Sequence, residues 1–364
     1  MQDFQISNKT KLLFRNDPSE EIANFTKNKK VLFVYGGGSV HKNGCYDDVK
    51  ASVLKGQGQF FEFGNASREI TDIQKGVQFC KENKIECLIG AGGASVMDAA
   101  KVISIGSYND DFWERIKSEK GVEELQHLPL ILIPTYPSSG SEYDDAAVVS
   151  EKERFNLTWG INSDLAILVP KYSISLNQEM TSYSSLVTIT QLSSFIVCDR
   201  NPISYDFGIS VVKNVLKAAQ TLKTKLDDLT ARSVILYAAS ISKSGWIGLD
   251  KEVDFSLDFY MIQFIMETLF NESYRKTLTI LFPRLLKHIA IKYKNDVKKF
   301  LNDAFGFNGP VDDSINKLIQ LFSDFGVDMY LHKDFTEEKL AQIPNKSKLS
   351  KEEISTIFKN SIKI

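Results

Sequence analysis

The feature that most constrains this chain is an alternation. Between residues 30 and 170, short apolar runs rich in β-branched and aromatic residues are separated by stretches with helical periodicity. Runs at 31–35, 60–63, 87–89, 128–133 and 165–169 are too short for helices and too continuously apolar for half-exposed strands. Such a pattern makes βαβ units and predicts a mostly parallel sheet of about six strands. A helix is expected at 46–54, with Asp47 and Asp48 near its positive end. A second follows a cap at Asn65 or Ser67 and carries Ile70, Ile73 and Val77. A third carries Val96, Ala99, Ala100 and Ile103.

Beyond Lys171 the strand signal disappears. Long helical patterns run at 181–198, 211–222, 229–242, 255–270 and 274–294. The sequence therefore predicts two domains, an α/β Rossmann-like domain at 1–170 and an all-α domain at 171–364, as the length of 364 residues also suggests.

Charge narrows the partners. With 44 Lys and Arg against 46 Asp and Glu, the net charge of −2 provides no global basic field for nucleic acid or an anionic membrane. The most apolar stretch, 87–105, is broken by Asp98 and Lys101, and the first residues lack a basic-then-apolar leader pattern. The four cysteines, Cys45, Cys80, Cys87 and Cys198, form no CxxC pair and read as buried reduced thiols. A cytoplasmic protein is expected.

Two glycine-rich turns follow predicted strands: Gly36-Gly37-Gly38-Ser39 and Gly90-Ala91-Gly92-Gly93-Ala94-Ser95. Each would present backbone N–H groups at a helix N-terminus, where phosphate is favoured, and two together suggest a dinucleotide. Read with Asp110-Asp111-Phe112-Trp113 and the segment Pro134-Thr135 to Gly140-Ser141-Glu142, the chain resembles the iron-containing alcohol dehydrogenases, and within them the butanol dehydrogenase-like, NADPH-using branch. That resemblance implies the dehydroquinate synthase-like fold, with the cofactor along one wall of a cleft between the domains. It assigns the pyrophosphate to Gly93, Ala94 and Ser95, with Ala94 departing from the family's glycine. The adenosine ribose falls to Ser39, where NAD-using relatives place an aspartate. It extends the cofactor set to Gly37, Gly38, Gly92, Asp98, Thr135, Ser138 and Ser139. A neutral Ser39 can hydrogen-bond a 2′-phosphate that an aspartate would repel, and His41 or Lys42 can add positive charge, so NADP(H) is expected. A solvated loop is the alternative for His41 and Lys42.

Catalysis in that family, as the resemblance implies, uses iron or zinc held by one Asp and three His. This chain has only His41, His127, His288 and His332. Val187, Gln191, Tyr260 and Tyr274 fall where the four ligands would stand, and Phe264 where a further family histidine lies near substrate. Val169 replaces an aspartate before Pro170. Valine cannot coordinate, an amide is a poor ligand for these metals, and a phenol must lose a proton of pKa about 10. No metal is expected. A relocated cation site at Asp250, Glu252, Asp254 and Asp258 competes with a solvated acidic loop, and His288 reads as a packed histidine.

Two functions remain. One is an NADP(H)-dependent alcohol dehydrogenase or aldehyde reductase acting on a small alcohol or aldehyde without metal, with Tyr260, Tyr274 and Gln191 as polar groups at the reacting oxygen, assisted by Arg275 or Lys276. The other is a non-catalytic cofactor-binding scaffold in which those tyrosines only fill volume. The family's N-terminal strand, resembled by residues 4–14, implies a homodimer.

Overall fold

The computed structural model describes residues 3–119, 121–152 and 154–363. They divide into two compact units. The first comprises Ser7–Leu176 with Ala239–Ser244, and the second residues 3–6, 177–238 and 245–363.

The α/β unit contains the strands β1 (Lys11–Phe14), β2 (Lys30–Tyr35), β3 (Gln59–Phe63), β4 (Cys87–Gly92), β5 (Leu130–Pro134), β6 (Ala147–Glu151), β7 (Arg154–Thr158) and β8 (Leu165–Leu168). Between them lie α1 (Ser19–Phe25), α2 (Ser39–Lys42), α3 (Cys45–Lys55), α4 (Ile70–Asn83), α5 (Ala94–Gly106) and α6 (Phe112–Lys117). Six strands form one parallel sheet in the order β1-β8-β5-β4-β2-β3. The period of two sorts its side chains. Leu32, Val34, Leu88, Leu130 and Leu132 pack with Ile70, Ile73, Ala100 and Ile103 on one face. Val31, Phe33, Ile89, Ile131 and Ile133 pack with Ile22, Val49 and Val53 on the other. Both faces are covered, which is why the strands read as continuous apolar runs.

Three local expectations change. The short helix α2 occupies the turn after β2, where a loop was one reading. Neither Asn65 nor Ser67 is the N-cap of α4; Glu69 is, without a capping side-chain bond. The Ser67 hydroxyl instead donates to Asp72 at 2.7 Å, and Asn65 sits in the left-handed region at φ 57°. The antiparallel hairpin β6–β7 was not expected, because its residues lack the dense apolar runs of the central strands.

The helical unit contains α7 (Gln178–Ile196), α8 (Pro202–Thr224), most of α9 (Leu229–Ile241), α10 (Ser256–Phe270), α11 (Tyr274–Ile289), α12 (Lys294–Phe305), α13 (Val311–Ser323), α14 (Glu337–Gln342) and α15 (Lys351–Lys359). The helical pattern read over 274–294 is two elements, because α11 stops at Ile289 and Lys294 opens α12. Asn201 caps α8 by accepting from the N–H groups of Ile203 and Ser204, with Pro202 at the first helical position where no donor is needed. Ser350 and Glu353 close α15 with a capping box.

Gly90 sets the distance between β4 and α5. A Cβ there would lie 2.7 Å from the Ala100 Cβ and 2.9 Å from Leu132. Ala100 cannot turn aside without moving its helix, so Gly90→Ala is expected to cost about 2 kcal/mol by overpacking. Urea denaturation of the variant measures it, and an unchanged midpoint would mean that α5 yields freely.

Candidate functional site

The two glycine turns are neighbours because their strands are. In the parallel register Tyr35 of β2 lies opposite Ala91 of β4, and Gly92 lies opposite Pro134 of β5. The turns Gly36–Ser39 and Gly92–Ser95 and the segment starting at Thr135 therefore leave the same, carboxyl, edge of three consecutive strands. The chain runs from β2 outward to β3, then returns to β4 on the other side of β2. That reversal is a topological switch point, the place where open parallel sheets bind ligands.

The edge is shaped to be approached. A Cβ on Gly37 or Gly38 would meet nothing within 4 Å, and one on Gly93 nothing closer than 3.7 Å. Ala94 opens α5, whose N-cap Gly93 supplies no side-chain cap. The first-turn N–H groups and the helix dipole thus face outward at residues 93–95, which are partly exposed. This cradle fits a pyrophosphate. The Ser95 hydroxyl accepts from the Arg68 N–H at 3.0 Å, which fixes the loop leading to α4 beneath the turn.

Ser39 begins α2 and is exposed. His41 is not a freely solvated side chain: its ring lies 4.3 Å from that of Tyr46 and edge-on to Tyr35 at 5.4 Å. Lys42 is exposed and makes no ion pair among the described residues.

Beneath this edge lies a buried polar network. Asp98 accepts from the Ser141 hydroxyl at 2.6 Å through Oδ1 and from the Val148 N–H at 3.1 Å through Oδ2. It thereby braces α5 against the segment that follows β5 and against β6. Burial pushes its carboxyl up to about 6, opposed by the Lys101 charge and the Ser141 hydrogen bond. Lys101 is fully buried and its ammonium donates to Asp144 Oδ1 at 2.8 Å, Asp144 O at 3.0 Å and Ala146 O at 2.8 Å. Glu142, also buried and with its carboxyl pushed up by burial, accepts from the Ser240 hydroxyl at 2.5 Å. Gly140, at φ +72°, has no room for a Cβ, which would lie 2.4 Å from Ala239 O. Thr135 and Ser138 are buried, and Ser139 accepts from the Ser141 N–H at 3.2 Å. Sequence reasoning missed the roles of Lys101, Asp144 and Glu142, although a lysine inside the apolar run of α5 was a visible signal.

In the helical unit, Val187 and Gln191 are fully buried on α7. The Gln191 amide Nε2 donates to the Tyr274 hydroxyl at 2.8 Å, so these two candidates meet. In that bond the phenol oxygen accepts. Tyr260 and Phe264 are half-buried on α10, which packs against both α7 and α11. Arg275 holds its guanidinium 5.5 Å over the Tyr183 ring, and Lys276 pairs with Glu272 at 3.4 Å. The relocated cation site does not assemble: Glu252 pairs with Arg200, Asp254 with Lys251 at 2.7 Å, and Asp258 accepts from the Lys348 N–H at 2.6 Å. Among the described residues no group of three or more His, Cys, Asp or Glu could hold a metal ion. His288 lies 3.5 Å from Glu353. No helix among the described residues is long and apolar enough to cross a membrane.

Residues 9–174, spanning the glycine turns and the Asp98 brace, match the family model "Iron-containing alcohol dehydrogenase". Over those residues the chain is similar to that family. Among its relatives, the NADH-dependent butanol dehydrogenase A of Clostridium acetobutylicum is 28% identical over 301 residues, covering 79% of this chain and 76% of the relative. The NADPH-dependent aldehyde reductase YqhD of Escherichia coli is 24% identical over 298 residues, covering 78% and 76%. The crystal structure of the NADH-dependent butanol dehydrogenase A of Thermotoga maritima superposes with a TM-score of 0.89 over 100% of this chain and 99% of that one, at 23% identity, which establishes the fold of the whole chain.

The brace makes a prediction for stability. Asp98→Ala strands the Ser141 hydroxyl and the Val148 N–H and should cost about 3 kcal/mol near pH 5. Because the folded-state pKa is raised, the stability that protonation of Asp98 contributes is full below the unfolded value and is lost as pH rises through about 6. The gap between wild type and variant is therefore expected to be larger at pH 5 than at pH 7. Urea midpoints at the two pH values check it, and the opposite trend would contradict a raised Asp98.

Proposed function

We propose that this chain is a pyridine-nucleotide oxidoreductase that interconverts small alcohols and aldehydes, prefers NADP(H) and works without the iron or zinc of its family. The observation that carries the cofactor reading is the pair of glycine turns side by side at the switch point. The alcohol and aldehyde substrate class rests on the relatives, whose names include a butanol dehydrogenase and an aldehyde reductase.

The relatives' names divide between NADH and NADPH, so the preference is argued from this chain. The exposed Ser39 carries no charge to repel a 2′-phosphate, and the exposed Lys42, three residues on in the same short helix, has no ion pair among the described residues to give up. The N-terminus of α5 at Gly93–Ser95 would hold the pyrophosphate.

The metal-free reading rests on the donor set. A valine, an amide whose nitrogen is committed to a phenol, and two tyrosines do not suit iron or zinc, which need several strong anionic or imidazole donors. The nicotinamide, when bound, supplies the hydride for aldehyde reduction. Tyr274 is the leading proton donor: its O–H bond breaks as the bond to the carbonyl oxygen forms, and solvent restores the proton. Gln191 holds the phenol oxygen, and Tyr260 is the second candidate donor.

NADPH is expected to bind at least tenfold more tightly than NADH, about 1.4 kcal/mol, with Ser39→Asp reversing the order in calorimetry. Equal affinities would remove the argument from Ser39. The purified protein should reduce an aldehyde with NADPH, be insensitive to chelator, and contain no stoichiometric iron or zinc by elemental analysis. Tyr274→Phe should lower kcat about 100-fold while leaving NADPH affinity unchanged. Cofactor binding without turnover would select the scaffold reading, and one chelatable metal per chain needed for activity would overturn the metal-free one.

We also propose a homodimer. Among the described residues strand β1 pairs only with β8, so its outer edge presents backbone groups of the kind that a second copy can satisfy. Sedimentation at micromolar concentration should give twice the chain mass of 41.0 kDa. A species at the single-chain mass would refute it.

A further inference from the structure

Within the helical unit, a cavity of about 430 Å³ opens where the last turns of α11 and α15 meet the first turns of α12 and α13. Its volume is many times that of a water molecule, about 30 Å³. Arg284, Lys287, His288 and Lys294 line it, with Asp312 the acidic residue of the lining. Asp312 is already matched by Lys287 at 3.2 Å, and His288 faces Glu353 at 3.5 Å. Lys294, exposed at the start of α12, has no ion pair among the described residues, although a cation at a helix N-terminus works against the dipole.

Arg284 is the unusual member. It is only 5% exposed and has no carboxylate within ion-pair distance among the described residues. Its Nε donates to Asn360 O at 3.3 Å and its Nη1 to Ile280 O at 3.1 Å, while Nη2 is buried with no acceptor. The guanidinium also lies 4.7 Å over the Tyr330 ring. Burial pulls its pKa down to about 10, opposed by the charge interaction and hydrogen bond with Tyr330, which leaves it charged at neutral pH. A buried guanidinium without a counter-ion is costly, because the charge has lost its water without gaining a carboxylate. Cations at the end of α11 do suit the helix dipole, but that favours Lys287 and His288 on its last turn more than a buried Arg284 with an idle donor. The remaining wall combines apolar Ala290, Ile291, Val311 and Ile357 with the polar Thr356 and Asn360.

We propose that this cavity binds a small organic anion, a carboxylate or phosphate monoester bearing an apolar group of a few carbons. Arg284 supplies a buried guanidinium charge behind the wall, Lys294 supplies the outer charge, and Ile291, Val311 and Ile357 cover the carbon chain. The site lies wholly among helical elements and does not depend on the cofactor reading.

The test titrates the full-length protein with hexanoate, phenyl phosphate and inorganic phosphate, by calorimetry and by thermal shift. At least one of the two organic anions should bind with a Kd below about 5 mM and raise Tm at saturating concentration. Whichever of them binds tells a carboxylate from a phosphate ester. Arg284→Met should weaken that binding at least tenfold, and the exposed Lys294→Gln about threefold, while Ser39→Asp leaves it unchanged. Arg284→Met should also leave Tm without ligand unchanged or higher, since it removes an uncompensated buried charge. If it unfolds the protein, Lys294→Gln and the salt dependence of binding decide the matter. The proposal fails if neither organic anion binds, if inorganic phosphate binds as tightly as both, or if the variants that fold bind like wild type.

Discussion

Everything near the candidate cofactor site depends on the parallel register that seats β4 between β2 and β5. With Tyr35 opposite Ala91 and Gly92 opposite Pro134, three chain segments far apart in sequence leave the sheet at one edge and at one height. The close approach of α5 at Gly90 adds the helix whose N-terminus faces that edge. A register slip of one residue would exchange the two sheet faces and drive Leu88 and Ile89 to opposite sides, so the hydrophobic layers hold the register firmly. The glycine turns inherit their mutual position from apolar residues that never touch a ligand.

The polar network around Asp98, Lys101 and Asp144 does a different job. Burying these groups is unfavourable on its own, and they are tolerated because nearly every donor and acceptor has a partner. What the network contributes is a fixed path for the chain from Thr135 to Ala147, a stretch without regular structure that would otherwise have many conformations. Gly140 and the Ser240 hydroxyl on Glu142 bring the short segment Ala239–Ser244 into the same α/β unit.

The helical unit shows two ways of treating a polar group among apolar helices. Gln191 is fully buried and its amide is satisfied by Tyr274 on the neighbouring helix. Arg284 is nearly as deep but only partly satisfied, with one nitrogen lacking any acceptor. By the usual rule that buried polar groups find partners, the first needs no further explanation and the second does.

The sequence by itself determined the fold class, the strands that carry the sheet and the position of both glycine turns, because apolar runs with period two and glycines at strand ends are local signals. It also settled which side chains stand at residues 187, 191, 260 and 274. The tertiary structure decided what those residues meet. The hydrogen bond from Gln191 to Tyr274, the brace from Asp98 to Ser141 and Val148, and the tilted ring contact of His41 with Tyr46 join residues by packing of separate elements or by the turn of a short helix. The hairpin β6–β7 and the break between α11 and α12 were equally illegible. The hairpin sends only Ala147 and Val149 of β6 into the core, too few apolar positions for a clear strand pattern, and the apolar and basic residues from Leu286 to Lys294 continue a helical period straight across the break. Local chemistry fixes which residues are offered; only the long-range register and helix packing fix which of them come together, since those contacts depend on surfaces that no short window of sequence contains.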